Sequence, residues 1–164
     1  MAKDTFLDSV VETATGLLIG YTISRFVRIA MARGDSMLPT IKNNQLFIID
    51  CTAYKRRNPQ RNDLVAFKSH QEKNHKIFLK RVIGLPGDEL LIEKGEVFIN
   101  GEKIEETYLN EPMKKIRKQQ IVVEEGTIFV MGDNRNNSLD SRAKSLGLVS
   151  IKDDVVGIIK RVIF

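Results

Sequence analysis

Gly34-Asp35-Ser36-Met37-Leu38-Pro39-Thr40 is the stretch around which this chain of 164 residues is organised. It places a serine between two turn-forming residues, Asp35 and Pro39, directly after a run that is typical of a strand. Gly34 permits backbone conformations that are closed to other residues, and Pro39 fixes the backbone where the turn ends. The stretch therefore predicts one hydroxyl group presented on a rigid turn, although Gly-Asp-Ser clusters also mark ordinary turns.

The composition indicates one globular domain with a real core, since 42% of the residues are hydrophobic and 29% are charged. The net charge of +5 would suit an anionic membrane surface or nucleic acid. However, the sequence has no basic helix interleaved with aromatic residues and no zinc-ligand spacing, so no nucleic-acid partner is expected. The single cysteine, Cys51, cannot form an internal disulfide, and we interpret it as a buried structural thiol.

Short apolar runs follow the serine turn and predict a mostly β domain of antiparallel strands and hairpins. Val27, Ile29 and Met31 alternate with less apolar residues, which predicts a strand leading to the turn. Asn100-Gly101 lies between apolar runs and predicts a type I′ hairpin, because both central residues must take positive φ. This hairpin occupies residues 97–104, and further strands are predicted at 46–49, 64–67, 77–83, 89–92, 121–123, 127–131 and 155–164. We interpret residues 54–62 as a basic loop and residues 105–120 as an exposed insertion.

The N-terminal region predicts one helix, over residues 1–25. A spanning helix needs about 20 mainly apolar residues, and the uncharged window here, residues 13–24, is shorter and diluted by Thr, Ser and Gly. Three interpretations stay open: a weak transmembrane anchor, an interfacial helix, or a helix packed on the domain or on a partner. A cleaved signal peptide fits less well, since cleavage after Ala32 would remove the strand that leads to Ser36.

A serine hydroxyl is a weak nucleophile, so a second group must take its proton. The two histidines, His70 and His75, lie among charged residues in one loop, and we expect both to be exposed and non-catalytic. Lys80 interrupts an apolar strand, where a charge is unfavourable. Burial lowers the pKa of a lysine, which can leave it neutral enough near pH 7 to act as a general base. The alternative is that Lys80 or Arg81 points to solvent from an edge strand, because one of two successive residues faces outward.

Three stretches together resemble the signature boxes of type I signal peptidases, the bacterial leader peptidases of the Ser-Lys dyad class. They are the serine stretch at 34–40, Lys80-Arg81-Val82-Ile83-Gly84-Leu85-Pro86-Gly87-Asp88, and Met131-Gly132-Asp133-Asn134-Arg135-Asn136-Asn137-Ser138-Leu139-Asp140-Ser141-Arg142. Their order and separation are similar to those of the family, and the last box is most similar to Gram-positive members. The resemblance covers roughly Phe26 to the C-terminus and implies a signal-peptidase/LexA-like fold.

The resemblance also implies a role for each matching residue. Ser36 matches the nucleophile, Lys80 the general base, and Ser138 a serine that hydrogen-bonds to the lysine and orients it. Met37 matches a residue lining the pocket for the small side chain before the cleaved bond. A charged cluster that holds the last box beside the dyad is matched by Arg81, Asp133, Arg135, Asp140 and Arg142.

The oxyanion of the reaction requires two hydrogen-bond donors, and the Ser36 backbone N–H is the first candidate. Some members of the family supply a serine hydroxyl from the position that Gly34 occupies here. Since Gly34 has no side chain, we expect a backbone amide or a water molecule to be the second donor.

The function that follows is a serine endopeptidase that removes signal peptides from exported preproteins and cuts after small residues. No metal or organic cofactor is implied. The expected partners are signal peptides and membrane lipid, and the expected location is the cell membrane, with residues 26–164 as the catalytic domain on the extracytoplasmic side. The alternatives are a self-cleaving LexA-type regulator, which also uses a Ser-Lys pair, and a catalytically idle homologue that binds signal peptides.

Overall fold

The structure, a computed structural model, describes residues 2–69 and 77–163 and consists of one long helix followed by two antiparallel sheets. Two helices are present in this part of the chain, α1 (Ala2–Phe26) and the short α2 (Ala53–Arg56). The strands in chain order are β1 (Val27–Met31), β2 (Leu46–Asp50), β3 (Leu64–Lys68), β4 (Ile77–Gly84), β5 (Glu89–Glu93), β6 (Glu96–Ile99), β7 (Glu102–Lys103), β8 (Gln119–Val122), β9 (Thr127–Met131), β10 (Val149–Ser150) and β11 (Val155–Val162). The predicted class, mostly β with one N-terminal helix, is confirmed.

The larger sheet has the strand order β1-β2-β11-β3-β4-β9-β10, and the smaller one has the order β7-β6-β5-β8. The β6–β7 connection is the predicted hairpin, since Asn100 and Gly101 have φ values of 52° and 86°. A type I′ turn requires positive φ at both positions. The larger sheet brings together the strands that precede or carry the three boxes, because β4 lies between β3 and β9.

Three apolar clusters hold these layers together. One packs the inner face of the smaller sheet onto Ile83, Phe129 and Met131 of the larger sheet. A second, around Val65, Phe67 and Phe78, fills the centre of the larger sheet. The third lies beneath the serine turn and includes Met37, which is 3% exposed. Full burial of a methionine contributes about 1.5–3 kcal/mol, so Met37 anchors the turn next to Ser36.

Two predictions about connecting segments are correct only in part. Residues 54–62 are not purely a loop, because α2 reaches Arg56. Residues 105–120 are mostly exposed, as predicted, but Met113 is buried in the core and Tyr108 packs against the same cluster. The hydrophobic side chains of this segment are few and widely spaced, so their burial could not be predicted from periodicity.

The strand that leads to the serine turn exposes its apolar side chains. Val27, Ile29 and Met31 are 41%, 68% and 45% exposed. They share one face of β1, which is an edge strand. Residues 9–23 of α1 are exposed as well. No helix within residues 2–69 and 77–163 contains an apolar stretch long enough to cross a bilayer.

Candidate active site

Ser36 lies in the connection between β1 and β2. Backbone hydrogen bonds within this connection hold it in a compact turn. The Ala32 N–H donates to the Gln45 carbonyl over 2.8 Å and the Ile41 N–H to the Met37 carbonyl over 2.8 Å. Gly34 has a φ of +92°, a conformation that residues with a side chain rarely adopt. The turn is thus fixed on both sides of the serine, as the sequence predicted.

Lys80 approaches the serine from the centre of β4. Its Nζ atom donates to Ser36 Oγ over 2.7 Å and to the Leu79 carbonyl over 3.0 Å. The lysine is 2% exposed, and Arg81 is 8% exposed. The alternative that one of these two residues faces solvent from an edge strand is therefore wrong, because β4 is an interior strand and both side chains are buried.

Ser138 lies beside the dyad and next to the backbone of Gly132. A Cβ atom built on Gly132 would lie 2.2 Å from Ser138 Oγ and 2.5 Å from the Ser36 carbonyl oxygen. The Ser138 hydroxyl is buried and makes no hydrogen bond within the described part of the chain. Its expected bond to Lys80 is not formed in this arrangement. The missing side chain of Gly132 leaves room for the Ser138 hydroxyl and the Ser36 carbonyl beside the Gly132 backbone.

Arg81 and Asp133 form a buried ion pair beside the dyad. Arg81 donates to both carboxylate oxygens of Asp133, from Nε over 2.8 Å and from Nη2 over 2.6 Å. The Thr40 hydroxyl donates to the same carboxylate, which connects the end of the first box to the third. Because Arg81 follows Lys80 directly, this pair fixes the strand that carries the lysine.

Arg135 and Arg142 make separate ion pairs, so the predicted charged cluster is a set of pairs. Arg135 donates to the two carboxylate oxygens of Glu106 over 2.8 and 2.5 Å. Arg142 donates to Asp140 over 2.8 Å from both Nε and Nη2. Asp140 in turn accepts the Gly132 N–H over 3.0 Å. These bonds hold the third box in shape beside the serine.

Tyr108 and Glu106 complete this network and were missed from the sequence. The guanidinium carbon of Arg81 lies 4.0 Å from the centre of the Tyr108 ring, and that of Arg135 lies 5.8 Å from it. The Tyr108 hydroxyl donates to Glu106 over 2.8 Å. Burial, followed by the charge of Glu106, raises the pKa of Tyr108. Burial alone would lower the pKa of Arg135, but the hydrogen bond and charge of Glu106 raise it. The one signal available was an aromatic residue in an otherwise polar segment.

The two residues considered for the oxyanion site, Gly34 and Ser36, differ in whether their backbone N–H is engaged. The Gly34 N–H donates to Asn43 Oδ1 over 3.0 Å, so this amide is already engaged. The Ser36 N–H makes no hydrogen bond to any residue that the structure describes. Of the two residues expected to supply the oxyanion site, Ser36 has the available amide.

His70 and His75, which the sequence predicted to be exposed and non-catalytic, lie outside the described residues. Elsewhere in the described ranges, no group of three His, Cys, Asp or Glu side chains is arranged to hold a metal ion. The chemistry that the described groups can perform is that of a hydroxyl within hydrogen-bond distance of a buried amine.

Comparison with known proteins agrees with this site. Residues 7–164 match the family described as signal peptidase, peptidase S26. Signal peptidase I U of Bacillus subtilis is 35% identical over 140 residues, which cover 80% of this chain and 73% of that protein. Signal peptidase I P of Bacillus subtilis subsp. natto is 31% identical over 172 residues, covering 99% of this chain and 91% of that protein.

A solved structure shows the same relationship. A signal peptidase I from Enterococcus faecalis V583 superposes with a TM-score of 0.53 and 33% sequence identity, covering 63% of this chain and 98% of that one. The family match spans nearly the whole chain, and these relatives are all signal peptidases I. The chain therefore belongs to the signal peptidase family, peptidase S26, and is a serine peptidase of that family.

Proposed function

We propose that this protein removes N-terminal signal peptides from exported preproteins, with Ser36 as the nucleophile and Lys80 as the general base. The observation that carries the proposal is the 2.7 Å contact between Lys80 Nζ and Ser36 Oγ. At this separation a charged Lys80 donates a hydrogen bond to the Ser36 hydroxyl. A neutral Lys80 can instead accept the proton of that hydroxyl. Burial of Lys80 favours the neutral form that a base requires.

The reaction begins when Ser36 Oγ attacks the scissile carbonyl carbon and its proton passes to Lys80. The Ser36 N–H donates to the oxyanion that forms. When this intermediate collapses, the C–N bond breaks and Lys80 returns the proton to the leaving amine, leaving an acyl-enzyme. Lys80 then takes a proton from water, which attacks the ester carbonyl; the bond to Ser36 Oγ breaks, Lys80 returns the proton to Oγ, and the signal peptide is released as a carboxylate. We expect cleavage after small residues, with Met37 lining the pocket that receives the side chain before the cut.

The residues around the dyad act as positioning groups in this proposal. The pair of Arg81 with Asp133 fixes β4 next to the serine turn. The pairs made by Arg135 and by Arg142 with Asp140 keep the third box against Ser36. Ser138 would orient Lys80 once substrate is bound. Structural ion pairs of this kind can shift the pKa values of neighbouring groups without taking part in the reaction.

The dyad is tested by substituting Ser36→Ala and Lys80→Ala and measuring cleavage of a purified preprotein. Loss of one member of a catalytic unit should lower kcat/KM by about 10⁴-fold or more. Ser145→Ala and Lys42→Ala are matched controls, because these residues are of the same types but exposed. Full activity in either dyad variant would overturn the assignment. Binding of the preprotein without cleavage by the wild-type protein would instead indicate an idle homologue.

The protein would act at the cell membrane, with residues 1–25 as its association segment and residues 26–164 as an extracytoplasmic catalytic domain. Two exposed apolar surfaces support contact with lipid. One is the outer face of β1, where Ile29 is 68% exposed, and the other is α1, where Leu17 is 71% exposed. Contiguous exposed apolar residues mark membrane or protein interaction sites. The test is carbonate washing of membranes: retention of the protein supports insertion, and release would limit the contact to the surface.

A further inference from the structure

A cavity of about 400 Å³ lies where α1 joins β1, within the range of about 300–1,000 Å³ that is usual for ligand pockets. Four elements contribute positively charged side chains to its wall. The residues concerned are Arg25 from α1, Arg28 from β1, Lys55 from α2 and Lys68 from β3. Tyr21 and Cys51 also line it. No step proposed for the peptidase uses this cavity.

The charges in the cavity are not balanced. Arg28, Lys55 and Lys68 form no ion pair with a carboxylate of the described residues, whereas Arg25 donates to the Tyr21 hydroxyl over 3.4 Å. Two carboxylates, Asp153 and Asp154, also line the cavity.

Both carboxylates accept hydrogen bonds from Ser150, Asp153 over 2.9 Å from the hydroxyl and Asp154 over 2.8 Å from the backbone N–H. They are therefore oriented by their own β10–β11 connection. The cavity keeps an excess of positive charge, with several donors that could converge on one anion.

Cys51 reports on this charge because it forms part of the wall. Burial raises the pKa of its thiol, and the charges of Arg28 and Lys55 act in the opposite direction. Contrary to the buried thiol that the sequence predicted, Cys51 is only partly buried in this wall. Cys51 is also the one cysteine of the sequence, so a thiol reagent addresses this wall alone.

We propose that this cavity binds a phosphate group, and that the headgroup of an anionic phospholipid supplies it. Both residue types bind phosphate oxygens: arginine through two parallel hydrogen bonds, and lysine through the point charge of its ammonium group. The source follows from position: the cavity opens at the base of α1, whose exposed Leu17, Leu18, Ile19 and Ile23 would contact acyl chains. The choice of lipid rests on the membrane association proposed above.

The test follows alkylation of Cys51 by N-ethylmaleimide, an uncharged reagent, in the full chain. Rates are compared with phosphatidylcholine vesicles, with vesicles that also contain phosphatidylglycerol, and with inorganic phosphate at ionic strength matched by chloride. The cavity variant carries Arg28→Gln, Lys55→Gln and Lys68→Gln. A control variant loses the same charge at exposed positions, through Lys114→Gln, Lys115→Gln and Arg117→Gln.

Anionic vesicles should slow the alkylation in the wild-type and control proteins but not in the cavity variant. Partition onto these vesicles should weaken by about fivefold for each cavity charge removed. Slowing by inorganic phosphate as well would show that the cavity also takes soluble phosphate. Equal slowing in the cavity variant and the wild type would overturn the proposal, as would no slowing by either source. Preprotein cleavage in detergent, which the cavity variant should retain, separates this outcome from failure of the peptidase assignment.

Discussion

Lys80 Nζ lies 2.7 Å from Ser36 Oγ, although the two residues are 44 positions apart in the chain. The larger sheet supplies both sides of the contact, since β4 carries the lysine and the β1–β2 connection carries the serine. The distance between nucleophile and base is therefore set by how that connection packs against the sheet. Substitutions of residues that contact this pair should therefore lower kcat more than their effect on the free energy of unfolding would suggest.

Ser138→Ala should separate activity from stability. The Ser138 hydroxyl is buried without a hydrogen-bond partner in the described part of the chain, so its removal should leave the free energy of unfolding unchanged or raise it by about 1 kcal/mol. If the hydroxyl orients Lys80 during the reaction, kcat should fall about 10- to 100-fold. Preprotein cleavage and urea unfolding measure the two effects.

Ser141→Ala is the matched control for that experiment. Its hydroxyl accepts the buried Val130 N–H over 3.0 Å, so the substitution should lower stability by about 1–3 kcal/mol through the unpaired amide. We expect kcat to change little in the folded fraction. Unchanged kcat in Ser138→Ala would remove that serine from the proposed site.

Gly132→Ala should impair the site through its backbone neighbours. The new Cβ would lie 2.2 Å from Ser138 Oγ and 2.5 Å from the Ser36 carbonyl oxygen, and the latter belongs to the backbone of the nucleophile, so relieving this overlap displaces Ser36. Overpacking of this kind lowers stability by about 1–3 kcal/mol. We expect kcat to fall at least tenfold in addition.

Gly84→Ala provides the comparison, because it is overpacked against side chains of the core. Its Cβ would lie 2.7 Å from a Leu90 side-chain atom and 2.9 Å from Phe129 and Val123 atoms. Stability should fall in both glycine variants, but kcat should fall mainly in Gly132→Ala. Equal kcat values for the folded fractions of the two would contradict the role given to Gly132.

The elements that local pattern determines were predictable. The strands follow from alternation, and the β6–β7 turn follows from the positive φ values that Asn100 and Gly101 tolerate. The pairing of Ser36 with Lys80 was suggested by motif resemblance, and the charge in an apolar strand gave it a physical reason. The burial of Arg81 was not predicted, because local alternation does not reveal that β4 is covered on both faces.

The ion pair that Glu106, in the segment 105–120, forms with Arg135 could not be predicted from the sequence. Glu106 and Arg135 are 29 positions apart, and a carboxylate in a polar segment gives no sign that it will pair with a buried arginine. Such a pair depends on how the segment crosses the third box. Only tertiary structure contains that information.

Glu106→Gln should lower stability strongly. The Arg135 side chain is 0% exposed and that of Glu106 is 10% exposed, so the substitution leaves a buried guanidinium without its counter-charge. Removing one partner of a buried ion pair typically costs about 3–5 kcal/mol. Glu96→Gln is the control, since its pair with Lys103 is exposed and should contribute at most about 1 kcal/mol. Comparable losses in both variants, measured by urea unfolding, would contradict the importance assigned to the buried pair.

Asp63 should contribute to the loss of stability in acid. Burial would raise the pKa of this carboxyl, but hydrogen bonds from Arg57, the Gln60 N–H and Tyr54 lower it below its ordinary value of 3.8. A group whose pKa is lower in the folded state stabilises the protein above the unfolded-state value, and the contribution is lost as the pH falls through the folded-state value. The free energy of unfolding should therefore decrease from about pH 4 downward.

Asp63→Asn should make that decrease shallower. At pH 7 the variant should already be less stable by about 1–3 kcal/mol, since it loses the ionised acceptor for Arg57. The difference from the wild type should then shrink as the pH falls, because the wild-type carboxyl becomes protonated. Glu125→Gln, an exposed position, should follow the wild-type curve throughout. Urea unfolding gives the free energy of unfolding of both proteins at each pH. A constant difference between Asp63→Asn and the wild type from pH 7 to pH 3 would contradict the lowered pKa of Asp63.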